Sequence, residues 1–193
     1  MKTRNPKEVA ALPEAWTSFT NAFGVDASAD LGSRVKNLAE YLSSKTSPNP
    51  DDRYATLSHG DSKSMNLFFP RRDKHGDENH HGAILVDFAS TGVGLGMSDV
   101  AMLIHHGVKP KDLSKGEGEM MLVQHYLEVL NELLSKRRSS YPNDVAIMHY
   151  KLCVCDYFRF YLGRFWKTAT PESFEKKASK KNVALINRNR EAA

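Results

Sequence analysis

The sequence predicts a mainly helical α+β fold on two observations. Apolar residues recur at helical spacing in four separate stretches, two of them before residue 47 and two after residue 116. Between these, Leu67-Phe68-Phe69 and Ala83-Ile84-Leu85-Val86 are short apolar runs separated by a charged, His-rich loop that ends in Gly82. Such a pattern reads as two neighbouring strands joined by an excursion, a small hairpin set among helices.

In chain order, Leu12, Trp16, Phe19 and Phe23 lie along one face of a helix with Pro13 in its first turn and Gly24 as its stop. A second helix runs from about Leu31 through Val35, Leu38, Ala39 and Leu42 and is ended by the Ser47-Pro48-Asn49-Pro50-Asp51 cluster. Both stripes are read as core. The segment Ser90-Thr91-Gly92-Val93-Gly94-Leu95-Gly96-Met97-Ser98 has alternating glycines, but Gly96 follows Gly94 too soon for a dinucleotide loop, so a flexible segment is expected. Asp99 precedes Val100-Ala101-Met102-Leu103-Ile104 and suits an N-cap, while His105 and His106 close that helix, where a cationic ring would favour the negative end.

Two long helices follow. Met120, Val123, Leu127, Leu130 and Leu134 form a stripe in 117–138, and Met148, Leu152, Cys155, Phe158, Leu162 and Phe165 form another in 144–166. They are expected to pack antiparallel across Ser139-Ser140-Tyr141-Pro142. From Lys167 a short helix or frayed tail is expected, giving a body over 1–167 and a basic C-terminal tail over 168–193.

The chemistry concentrates between His59 and Phe88. His59-Gly60-Asp61-Ser62-Lys63-Ser64-Met65-Asn66 and the later Asp87-Phe88 bring two carboxylates, an amide and an ammonium towards one site. Phosphoryl transfer needs this set: one carboxylate orients the attacking hydroxyl, and hard oxygen donors hold magnesium against the phosphates. Asp61 fits the first role. Asn66 begins one strand and Asp87 ends the other, so an antiparallel pairing would set an amide carbonyl and a carboxylate side by side for one cation.

Thr56-Leu57-Ser58-His59-Gly60-Asp61 through Asn66, then Leu85-Val86-Asp87-Phe88, Gly92, Gly94 and Asp99-Val100-Ala101 resemble the aminoglycoside phosphotransferase and choline kinase superfamily, most closely its ecdysteroid-kinase-like branch. The resemblance covers about residues 10–167, with its sharp motifs in 56–101. It implies the C-terminal lobe of a protein-kinase-like fold and an ATP-dependent transfer to the hydroxyl of a small acceptor. By the same resemblance Asp61 is the catalytic base, Asn66 and Asp87 bind Mg2+, and Lys63 meets the γ-phosphate of ATP. Gly60 stands where protein kinases carry arginine, Asp99 steadies the catalytic loop, and the ring of His59 is a structural hydrogen-bonding group beneath it. The C-terminal helices of relatives wall the acceptor pocket, which makes Tyr157, Tyr161 and Trp166 candidates for substrate contact.

The match has departures. Only 58 residues precede His59, and they contain neither a Gly-rich turn between strands nor a strand ending in an exposed lysine, so they do not read as a nucleotide-binding lobe. Ala89 replaces the glycine expected after Phe88. A truncated, catalytically inactive kinase-like lobe that binds ATP poorly or not at all, acting as a binding protein or a fragment, is therefore the alternative expectation.

Composition narrows the classes further. With 193 residues, 40% hydrophobic and 26% charged, one soluble domain is expected. The net charge of +4 resides in residues 167–193, and that segment lacks aromatic residues interleaved for base stacking, which argues against nucleic acid as partner. Cys153 and Cys155, two apart, cannot pair with each other on a helix, and no signal peptide or membrane-length apolar run is evident, so a cytoplasmic protein is expected. His75, His80 and His81 with Asp73, Asp77 and Glu78 crowd the inter-strand loop, but their irregular spacing argues for a charged loop over a zinc site.

Overall fold

The structure is a computed structural model that describes residues 5–69, 82–113 and 117–180, together with 183, 186 and 189. Its element order is mainly helical, with short antiparallel strand pairs at the centre of the sequence.

Helix α1 (Pro6–Phe23) opens on Pro6, whose missing N–H lies among those a helix start leaves unbonded, and closes on Gly24, whose φ of 63° lets its N–H reach the Thr20 carbonyl. The helix thus starts earlier than the apolar spacing predicts, and Pro13 is interior. An interior proline costs about 3 kcal/mol. Burial of Leu12 and Phe19, about 1.5–3 kcal/mol each, offsets it. Helix α2 (Leu31–Thr46) stops before Pro48 and buries Ala39 and Leu42, but Leu38 is half exposed. The helices cross at Gly32, where a Cβ would come within 2.7 Å of Trp16 Cβ and 2.8 Å of the Leu12 carbonyl oxygen.

Strand β1 (Ala55–Ser58) pairs antiparallel with β4 (Gly92–Leu95), in the register Ser58 to Gly92 and Leu57 to Val93. Strands β2 (Leu67–Phe68) and β3 (Ile84–Leu85) form a second ladder, Leu67 to Leu85 and Phe68 to Ile84. The hairpin is therefore present but shorter than the apolar runs. The glycine-rich segment, expected to be flexible, is a strand instead. Gly94 serves close approach, since a Cβ there would meet Ser58 Oγ at 2.6 Å.

Helix α3 (Gly96–Gly107) follows β4 without a loop, and the short α4 (Pro110–Leu113) precedes α5 (Glu117–Ser135). Helix α6 (Asn143–Arg164) is the spine of the lobe and packs on α1, α2 and α3. It serves two core clusters. One gathers Leu12, Ala15 and Phe19 of α1 with Tyr157, Tyr161 and Leu162; the other gathers Met97, Ala101 and Ile104 of α3 and Val123 and Leu127 of α5 with Tyr150 and Cys153. A helix buried on several sides loses the one-faced period from which a stripe is read. Met148, Cys155 and Phe165 of the expected stripe are accordingly exposed, and Ala146, Tyr150, Cys153, Tyr157 and Tyr161 are buried instead. Within α6 the buried Arg159 reaches Asp156 Oδ1 with Nε at 2.9 Å and Nη2 at 2.6 Å.

Beyond Lys167 the chain contributes to the core. Helix α7 (Pro171–Glu175) is opened by a reciprocal cap between Thr170 and Ser173, and Phe174 and Ile186 are buried in the α1/α6 cluster. No described helix is long and apolar enough to cross a membrane.

Candidate phosphotransfer site

The loop leaving β1 carries His59, Gly60 and Asp61, and α3 holds it from behind. Asp99 Oδ2 accepts the His59 N–H at 2.7 Å, and Oδ1 accepts the Gly60 N–H at 2.9 Å. Ser62 Oγ donates to the Asp99 carbonyl at 2.7 Å. One residue thus ties His59, Gly60 and Ser62, on both sides of Asp61. Asp99 lies in the first turn of α3, and the position before that helix is Leu95, so the expected capping role is not found: the carboxylate serves the loop amides instead of its own helix.

His59 joins that loop to the exit of β3. Its Nε2 lies 3.0 Å from the Val86 carbonyl oxygen, which can only accept, so Nε2 carries the proton; Nδ1 then accepts the Asp61 N–H at 3.3 Å. A neutral ring protonated at Nε2 is the form that satisfies both contacts. The ring also packs against Phe88, with centroids 5.0 Å apart. These contacts place His59 between the segments bearing Asp61 and Asp87.

The polar side chains converge on one oxygen. Lys63 Nζ lies 2.5 Å from Asp61 Oδ2, and Asn66 Nδ2 donates to the same oxygen at 3.1 Å and to the Asp61 carbonyl at 2.9 Å. Asp61 and Lys63 are each about a quarter exposed, at 27% and 26%, so the pair is open to a ligand. Because the Asn66 amide nitrogen is turned to Asp61, its Oδ1 is the end that could meet a cation.

Asn66 does not begin the strand as the apolar run predicts but ends the 3-10 turn Ser64–Asn66 just before β2, and Asp87 lies two residues beyond β3, so both flank the ladder. The Val86 N–H donates to the Asn66 carbonyl at 3.1 Å, which puts Asp87 one residue past Asn66's partner. A regular strand would send Asp87 to the opposite face from Asn66. Asp87 instead has φ 64° and ψ 68°, left-handed for a non-glycine residue, and begins the 3-10 turn Phe88–Ser90. Such backbone costs about 1–3 kcal/mol and recurs at functional sites. Of the further candidates, the His75, His80 and His81 group lies outside the described residues. Among the described residues no cluster of three or more His, Cys, Asp or Glu side chains could hold a metal.

The expected pocket-wall residues divide. Trp166 is core, stacked on Phe19 at 4.9 Å between centroids. Tyr157 and Tyr161 are buried within the electrostatic reach of Asp61: burial foremost, and also the Asp61 carboxylate, push both phenols above the ordinary tyrosine range. Helical spacing alone marks them only as core, and the nearness to Asp61 follows from how α6 crosses behind the loop.

Beside the polar cluster the two ladders present apolar side chains to solvent. Leu57 and Val93 form an exposed cross-strand pair, Phe68 and Ile84 another, and Phe88 is exposed at the turn.

Ser62 and Ser90 carry no sequence signal of their own. Ser62 is recognisable only through its bond to Asp99, and Ser90 through its contact with Gly60, where a Cβ would come within 2.2 Å of the Ser90 carbonyl oxygen.

Residues 7–139, more than half of the chain, match the ecdysteroid kinase-like family. Among curated proteins none matches the chain. The matched span contains His59, Asp61, Lys63, Asn66, Asp87 and Asp99, and the chain belongs to the ecdysteroid kinase-like family.

Proposed function

We propose that this site transfers the γ-phosphoryl group of ATP to a hydroxyl of a small acceptor. The observation that carries the reading is the convergence of Lys63 and Asn66 on a single oxygen of Asp61, in a loop clamped by Asp99. Both side-chain contacts fall on Oδ2, so Oδ1 is the oxygen suited to receive a proton. As the acceptor oxygen attacks the γ-phosphorus, the bond from that phosphorus to the β,γ-bridging oxygen breaks, ADP leaves, and the hydroxyl proton passes to Asp61. The Lys63 ammonium, 2.5 Å from Asp61 Oδ2, would compensate charge on the transferring group. Asn66 through Oδ1 and Asp87 through its carboxylate are the residues that would hold magnesium; they supply hard oxygen donors from the two segments that flank the β2/β3 ladder, which fits the ion. Bound there, magnesium would supply electrophilic charge to the phosphate oxygens.

The test is transfer from γ-labelled ATP to a panel of small alcohols. The expected result is a labelled phosphate ester that requires magnesium and is lost in Asp61→Asn.

A second reading rests on the exposed pairs Leu57/Val93 and Phe68/Ile84. Exposed apolar cross-strand pairs on both ladders offer surface that a partner would cover. On this reading the chain is a kinase-like lobe that does not turn over ATP unless that surface is covered. Calorimetry discriminates: tight, magnesium-dependent ATP binding to this chain favours catalysis, and weak or absent binding favours the second reading.

A further inference from the structure

Helix α5 carries more apolar residues than its packing on the body uses. Val123 and Leu127 are buried in the core cluster it shares with α3 and α6, and Leu130 and Leu134 are packed against that cluster. A second row, Leu122, Tyr126, Val129 and Leu133, runs beside them at spacings of four, three and four. At 3.6 residues per turn these four side chains leave the helix within about 60° of one another. Leu122, Val129 and Leu133 are 40%, 46% and 55% exposed. Tyr126 ties the row to the body, since its Oη would lie 2.6 Å from a Cβ on Gly96, the first residue of α3. A surface helix ordinarily turns charged and polar residues to solvent there, so an apolar row marks a face for docking.

The row reads the same in both directions. The midpoint of Leu122 and Leu133 and that of Tyr126 and Val129 both fall between Leu127 and Glu128. Two copies of α5 laid antiparallel about a two-fold axis at that point set Leu122 against Leu133 of the second copy and Tyr126 against Val129 of the second copy. The charges follow the same axis. His125 and Glu132 are exposed on one flank of the row, and the axis brings that flank against itself, with His125 about 3 Å along the helix from the level of Glu132 of the second copy. Glu117 in the first turn and Lys136 just past the last are both exposed and meet in the same way. A parallel pairing would instead set like charge on like charge, which is unfavourable. A partner of unrelated sequence would call for no such internal symmetry.

We propose that α5 is the contact of a two-fold symmetric pair of this chain, in which the row from Leu122 to Leu133 packs antiparallel on the same row of a second copy. The pairing is independent of the phosphotransferase reading, because it uses neither Asp61 nor the residues around it. One helix face buries less than the roughly 800 Å² per partner of a standard interface, so the pair is expected to be weak, with a micromolar dissociation constant.

Sedimentation equilibrium of the full chain over a concentration series should show a reversible step from monomer to dimer in that range. Val129→Glu puts a charge beside the axis and should raise the dissociation constant more than about tenfold. Val129 is exposed in the monomer, so the melting temperature of this variant at low concentration should match that of wild type. His125→Glu sets like charge against Glu132 and should weaken the pair about three- to tenfold, and adding Glu132→Lys should restore it. Orientation is read by disulfide trapping in a Cys155→Ser background, because Cys155 is an exposed native thiol. An equal mixture of Leu122→Cys and Leu133→Cys chains should form a mixed disulfide dimer. Neither variant alone should do so, because equal positions of the two copies stand about 16 Å apart along the helices. A wild-type chain that stays monomeric up to about 1 mM overturns the proposal. A dimer that Val129→Glu leaves intact also overturns it, since the contact would then lie on another surface such as the exposed pairs of the β ladders. A disulfide formed by Leu122→Cys alone does the same, because it requires the parallel arrangement.

Discussion

Gly60 and the carbonyl of Ser90 approach so closely that a Cβ on Gly60 would stand 2.2 Å from the oxygen, and Gly60 holds φ at +76°. The close approach leaves no room for a side chain and the left-handed backbone would strain one, and together they explain why this position does not carry the arginine that protein kinases place before the catalytic aspartate. Gly60→Ala should lose about 1–2 kcal/mol from the left-handed backbone alone, with a further loss as the loop moves off Ser90. The urea midpoint should fall, and any phosphotransfer should fall with it, because Asp61 is the next residue. An alanine variant with an unchanged midpoint would show that the loop can shift freely.

Asp99→Asn tests the clamp. The carboxylate accepts the His59 and Gly60 amides on separate oxygens, and an amide group can keep one acceptor but must turn its NH2 towards the other N–H. The expected cost is about 1–3 kcal/mol. The informative measurement is hydrogen exchange at residues 59 and 60, which should accelerate well beyond the change in global stability. Equal protection in the variant would mean that other contacts hold the loop.

A pH dependence follows from two histidines. Burial pushes His105 below the ordinary imidazole value, against an upward pull from Glu119, and burial likewise lowers His149. The folded protein then binds fewer protons at these sites than the unfolded chain, so stability is retained above the unfolded value of about 6.5 and lost as pH falls through and below it. Denaturant titrations at pH 7.5 and pH 5.5 should show the loss, and His105→Gln should reduce it. This outcome also bears on the C-terminus of α3, where a cationic ring is expected from sequence: at His105 burial outweighs the helix end. A wild-type protein equally stable at both pH values would contradict the assignment.

The helices and the site differ in how far their residues announce them. Helix α2 was legible because its stop, Ser47-Pro48, is chemically explicit, and α5 because Val123 and Leu127 face one cluster only. Helix α6 was legible in extent but not in facing, since it packs on several neighbours and its buried residues follow no single stripe. The β1/β4 ladder was missed because its second strand is half glycine, and glycine reads as a loop unless the partner that needs the space is known; here that partner is Ser58. The polar residues at the site were visible because their chemistry is rare in combination. Their connections through Asp99 and His59 were not, because those bonds span 40 and 27 residues of sequence.

The last prediction separates the roles of the two carboxylates on either side of His59. Asp61→Asn preserves size and can still receive Lys63 and Asn66 through its remaining oxygen, but it cannot accept the hydroxyl proton. In a form that transfers phosphate, turnover should fall about 10²–10⁴-fold, the span of a positioned general base, with little change in substrate binding. Asp87→Asn keeps the left-handed turn, which asparagine tolerates, and under the proposed assignment would weaken only the hold on magnesium. Its defect should therefore shrink as magnesium is raised, whereas that of Asp61→Asn should not. Initial rates against magnesium concentration for both variants give the comparison. If magnesium rescues Asp61→Asn as fully as Asp87→Asn, Asp61 acts through the metal and not as the base; if Asp61→Asn retains near-normal turnover, the convergence of Lys63 and Asn66 on its Oδ2 belongs to the architecture of the loop rather than to the transfer.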